Sequence, residues 1–99
     1  MMKNLDEIQK ILAMHRHDLH SRFHVERIGV FGSYSRGDMS PQSDVDILVE
    51  FDHPVGWEIV EVRDYLQELL AVKVDLITKA AVSKRPLLWM SILEDLVYV

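Results

Sequence analysis

The chain has 99 residues, of which 48% are hydrophobic and 27% charged, with a formal net charge of −5 and no cysteine. That length holds one small domain and leaves no room for a separate substrate domain, and the composition belongs to globular chains rather than disordered or fibrous ones. The missing cysteine excludes disulfides, thiolate metal sites and cysteine nucleophiles, and the acidic balance disfavours non-specific phosphate-backbone contacts, so no direct nucleic-acid binding is expected.

No apolar run approaches the ~20 residues of a bilayer span, and Met1-Met2-Lys3-Asn4 passes directly into a helical pattern, so a cytoplasmic protein without a membrane partner is expected. Asn4 and Glu7 have the spacing of a capping box, and Leu5, Ile8, Ile11, Leu12, Leu19 and Phe23 form one apolar face, which predicts a single helix from Leu5 to Phe23. His17, His20 and His24, with His15 nearby, recur at helical spacing. No acid completes a metal set with them, and they read as a solvated or partner-facing stripe. Val25 to Phe31 suits a strand closed by Gly32, Ser33 to Asp38 a turn or short helix, and Met39 to Gln42 a loop. Val45 to Phe51 is the clearest strand. After the breaker from Asp52 to Gly56, Trp57 to Leu70 has helical spacing and is expected to pack on the sheet. Val72 to Ile77 reads as a strand, Lys79, Lys84 and Arg85 as a solvated basic loop, Pro86 as the start of a helix, and Leu96 to Val99 as a short extended segment. For Trp57 and Trp89, core packing is as good a reading as an interface. The order α, β, loop, β, α, β, α predicts an α/β fold of α+β type: a small twisted mixed sheet flanked by helices.

Chemistry concentrates in two strands. In Ser43-Asp44-Val45-Asp46-Ile47-Leu48-Val49 the two acids alternate with apolar residues, so Asp44 and Asp46 share one face while Val45, Ile47 and Val49 face a core. Two converging carboxylates repel each other unless a divalent cation lies between them, and ligands that are oxygen alone suit Mg2+ or Mn2+ rather than zinc. Asp75 stands alone among the apolar residues of Lys73-Val74-Asp75-Leu76-Ile77. If its strand neighbours that of Asp46, three acids meet on one face and can clamp two metals about 3.5–4 Å apart. Taken singly, each acid also has a plain reading: Asp44 as a turn cap, Asp46 at a strand end, and Asp75 as a partner of Lys73 or an arginine. Upstream, Gly32 leaves room for a ligand beside the backbone, and Ser33 offers a hydroxyl and an N–H to a triphosphate. Arg36 pairs either with phosphate or with an acid that orients the loop.

The combination Gly32-Ser33, two residues, Arg36-Gly37, five residues, Ser43-Asp44, one residue, Asp46 closely resembles the signature of nucleotidyltransferases with a polymerase-beta-like fold, and Asp75 falls where that family has its third carboxylate. The small size resembles the minimal nucleotidyltransferase (MNT) branch, whose members act as antitoxins beside HEPN-domain toxins. The resemblance implies that Gly32, Ser33, Arg36 and Ser43 bind the nucleotide, that Asp44 and Asp46 ligate metal, and that Asp75 completes the metal set and helps activate the attacking hydroxyl. It further implies Mg2+ as cofactor, a nucleoside triphosphate such as ATP as substrate, and AMP transfer to a tyrosine of a HEPN-type partner. Two rival readings are an antitoxin that merely covers its toxin and an enzyme acting on a small molecule such as an aminoglycoside. Base preference, acceptor, and homo- or hetero-oligomeric state are not legible here.

Overall fold

The computed structural model describes residues 3–99. Helix α1 (Leu5–Met14) opens with the expected capping box: the Asn4 side chain accepts from the Glu7 N–H at 2.9 Å, and the Glu7 carboxylate accepts from the Asn4 N–H at 3.3 Å. The single helix expected to reach Phe23 is instead two, with α2 (Arg16–Phe23) starting beyond a break at His15. There the backbone N–H donates to the Leu12 carbonyl at 3.2 Å, a tightened turn, while His15 Nδ1 lies 2.8 Å from the Ile11 carbonyl oxygen. Ile8, Leu12, Leu19 and Phe23 are buried on both sides of the break, so the apolar spacing runs through it unchanged.

Strands β1 (Val25–Phe31), β2 (Val45–Phe51), β3 (Val74–Thr78) and β4 (Val97–Tyr98) form one mixed sheet in the order β3-β2-β1-β4. Strand β1 runs antiparallel to β2 and β4, while β2 and β3 are parallel. A parallel pair needs a crossover, and α4 (Glu58–Leu70) supplies it. Its Val62, Leu66 and Leu70 are buried at steps of four residues. Trp57 precedes the helix and is 80% exposed, so it packs in no core.

Alternation along β2 divides the interior in two. Val45, Ile47 and Val49 join Ile28, Val30 and Val74 beneath α1, α2 and α4, whereas Leu48 joins Val82 and Ile92 on the opposite face, with Phe31, Ile77 and Trp89 packed around them. Helices α5 (Lys79–Val82) and α6 (Pro86–Asp95) supply Val82, Ile92 and Trp89 to that second core. Lys79 was expected in a loop but begins α5, which Thr78 caps by accepting from the Ala81 N–H at 3.1 Å. Its ammonium is 3.5 Å from Glu50. The short α3 (Gly32–Arg36) links β1 toward β2 and packs on both. No helix among the described residues is long and apolar enough to cross a membrane.

Candidate active site

Because Val45 and Ile47 are committed to the first core, Asp46 falls on the other face of β2, in line with Leu48, and Asp44, just before the strand, lies near enough for its charge to be felt at Asp46. The parallel ladder then sets Val45 opposite Val74 and Asp46 directly opposite Asp75. The neighbouring strands expected from sequence are therefore present, in the register that joins two acids from distant parts of the chain. Asp46 is half-buried, while Asp44 and Asp75 are exposed.

Burial is the main reason that the Asp46 carboxyl is pushed up to about 6. The charge of Asp75, a hydrogen bond shared with it, and the charge of Asp44 act in the same direction, and Arg36 opposes them. A carboxyl taken partly out of water and set beside two like charges is expected to rise in this way. Among the described residues, the three acids do not form a group with all ligand atoms within 4.8 Å of one another. An oxygen-only donor set, with one member that holds its proton too tightly, fits Mg2+ or Mn2+: a hard divalent cation would restore its ionised form.

Gly32 lies against Asp46. Its φ is +73°, and a methyl group there would stand 2.1 Å from Asp46 Oδ2, so the backbone approaches the carboxylate as only glycine permits. Phe31, its neighbour, is the register partner of Asp46 across the antiparallel ladder. Ser33, at the second position of α3, is half-buried beside it. Ser43 closes the turn before Asp44: its hydroxyl accepts from the Ser40 N–H at 2.9 Å and its own N–H donates to the Ser40 carbonyl at 3.0 Å. Arg36 donates to Asp38 at 3.1 Å and to Asp95 at 2.7 Å, and both bonds raise its pKa. Its positive charge is also felt at Asp46.

Asp38 and Asp95 are site-supporting residues that sequence reasoning missed. Asp95 ends α6 and holds α3 twice, through Arg36 and through its backbone carbonyl, which accepts from the Ser35 hydroxyl. No spacing signal connects positions 59 residues apart. Asp38, two residues from Arg36, had the spacing of a local pair. A groove of about 460 Å³ lies elsewhere: Glu50, Asp52, His53, Thr78, Lys79 and Ser83 line it at the far end of β2, and none of the three candidate acids does.

Comparison with known proteins bears on this arrangement. Residues 12–99 match the family model described as nucleotidyltransferase domain. A "Putative protein adenylyltransferase" of Methanocaldococcus jannaschii is 46% identical over 101 residues, covering 99% of this chain and 100% of the relative. The protein adenylyltransferase MntA of Thermococcus cleftensis is 42% identical over 99 residues, covering 99% and 98%. Among solved structures, a toxin–antitoxin crystallised with AMP-PNP superposes with a TM-score of 0.70 at 25% identity, over 92% of this chain and 70% of that one. A complex of a tri-AMPylated HEPN toxin of Shewanella oneidensis with its MNT antitoxin shares the fold, with a TM-score of 0.63 at 22% identity over 91% and 70%.

Proposed function

The chain belongs to the nucleotidyltransferase domain family, and from that premise we propose that it transfers AMP from ATP to a hydroxyl of a protein partner, a tyrosine of a HEPN-type toxin, and so acts as the antitoxin of the pair. The observation that carries the reading is the placement of Asp46 opposite Asp75 on parallel strands, beneath a glycine that admits no side chain. The acceptor rests on the likeness to relatives named protein adenylyltransferase and to toxin–antitoxin structures.

Asp44, Asp46 and Asp75 would hold Mg2+ or Mn2+, whose charge, when bound, neutralises phosphate oxygens and the leaving pyrophosphate. Gly32 leaves space beside its backbone for the triphosphate, and Ser33 offers its hydroxyl and N–H to the phosphate oxygens. Arg36 stands within electrostatic reach of the same place, held by Asp38 and Asp95, and Ser43 fixes the loop that delivers Asp44. The acceptor oxygen attacks the α-phosphorus in line, the bond from that phosphorus to the bridging oxygen breaks, and pyrophosphate leaves with the bonding electrons. The hydroxyl proton passes to the Asp75 carboxylate, exposed beside the acceptor's approach. No protein nucleophile enters the sequence.

The test is ATP labelled at the α or the γ phosphate, incubated with Mg2+, the chain and its HEPN-type partner. Label in the partner from the α position alone is the expected result. Retention of γ label would mean phosphoryl transfer. Neutralised toxin without label would mean an antitoxin that acts by covering.

A further inference from the structure

The other end of β2 carries a second set of potential ligands, unrelated to the acids. Among the described residues, His24, Asp52 and His53 are the group whose ligand atoms all lie within 4.8 Å of one another, and all three are exposed. Asp52 is six residues beyond Asp46, about 20 Å along an extended strand, so the two sets do not share a cation.

The backbone builds this cluster from two separate segments. The Asp52 N–H donates to the His24 carbonyl at 3.1 Å, which ties the α2–β1 corner to the end of β2. His24 ends α2 in the left-handed region, at φ 61°, a conformation uncommon outside glycine although less so for histidine. Its Nδ1 is 3.7 Å from Asp52 Oδ2, while His53 Nδ1 is 2.5 Å from Asp52 Oδ1. The two imidazoles meet edge to face, with centroids 4.6 Å apart. Ligands at about 2.0–2.1 Å from a tetrahedral cation are separated by roughly 3.4 Å, so the His24–Asp52 spacing is near that value already. The His53–Asp52 hydrogen bond has to open, by a rotation of exposed side chains.

We propose that His24, Asp52 and His53 form a binding site for a borderline divalent cation such as Zn2+, distinct from the carboxylate site. Two imidazoles and one carboxylate suit Zn2+, Co2+ or Ni2+ and disfavour Mg2+, which takes oxygen ligands at octahedral geometry. Three protein ligands leave a fourth position for water. The cation would pin the α2–β1 corner to the loop that leads from β2 toward α4.

The experiment is a calorimetric titration of the full nucleotide-free chain with Zn2+ alone, and in parallel with Co2+ read by its visible ligand-field bands. One Zn2+ per chain is expected, undisturbed by excess Mg2+ and unchanged within about twofold in the Asp46→Asn/Asp75→Asn variant. His24→Asn keeps a residue that tolerates the left-handed region, and His53→Gln keeps size and polarity. Each should weaken Zn2+ at least tenfold while leaving the metal-free melting temperature in place. Absence of Zn2+ binding by the unaltered chain overturns the proposal. So does loss of binding with the aspartate variant, or unchanged affinity in both histidine variants. None of these outcomes depends on transfer activity.

Discussion

A methyl group at Gly32 would stand 2.1 Å from Asp46 Oδ2 on a backbone already at φ +73°, so Gly32→Ala combines left-handed strain with displacement of a central carboxylate. Left-handed geometry alone costs a non-glycine residue about 1–2 kcal/mol. Gly37 provides the comparison, with φ +84° and nothing within 4 Å of an added methyl. Both alanine variants should therefore lose stability in thermal denaturation, and only Gly32→Ala should also lose most AMP transfer. Asp46 supports a second prediction. Its carboxyl is raised from 3.8 to about 6 in the folded chain, so the folded state binds that proton more tightly than the unfolded one. The stability this group contributes without metal is greatest below about pH 4 and is lost as pH rises through 6. Asp46→Asn should accordingly melt higher than the unaltered chain at pH 7 without metal, with the gap closing toward pH 4. Mg2+ should stabilise the unaltered chain more at pH 7 than at pH 5, where it competes with the proton. The positions of Asp46 and Asp75 in apolar strands and of Gly32 at a strand end were legible from local alternation, whereas taken singly each acid also had a plain reading and the proposed roles come from the spacing shared with the nucleotidyltransferase signature. The union of Asp46 with Asp75 became definite only with the register.

At the scale of elements, the sequence located all three long strands and the large crossover helix because their periodicities extend over many residues. It missed α5, whose four residues are too few to show a period, and the break at His15, across which the apolar spacing is preserved. It also missed the attachment of α3 to α6, since the Ser35 and Arg36 bonds to Asp95 are tertiary contacts. That attachment is open to test. Asp95→Ala removes the carboxylate that orients Arg36 and leaves the Ser35 bond to the backbone carbonyl intact. Because Arg36 is exposed, the melting temperature should barely move. AMP transfer should fall several-fold, with the Michaelis constant for ATP raised, because α3 carries the backbone proposed to receive the triphosphate. An unchanged constant would restrict the Arg36–Asp95 pair to a structural role.

The molecule as a whole is small enough for ligand occupancy to register strongly in its stability. If Mg2+ and ATP occupy the proposed site together, a hundredfold excess over the dissociation constant adds about 2.7 kcal/mol, which for a domain of this size raises the melting temperature by on the order of 10 °C. ATP without Mg2+ should give a much smaller shift, because uncompensated carboxylates and phosphates repel. Coincident melting curves with and without Mg2+ would count against a metal-dependent nucleotide site.

The direct pairing of β2 with β3 has a further consequence, in hydrogen exchange. Asp46 and Asp75 come together only when the α4 crossover is complete and the parallel ladder is closed, so no local opening that separates the strands can preserve the proposed cation site. A ligand that requires both acids therefore opposes every opening that parts them, not simply the motions of its own loop. In the presence of Mg2+ and ATP, the amides of Val45 to Val49 and of Val74 to Thr78 should slow by a common factor, even though most of their side chains would touch neither ligand. Protection confined to residues near Gly32 and Ser33 would show that the nucleotide is held without drawing the two strands together.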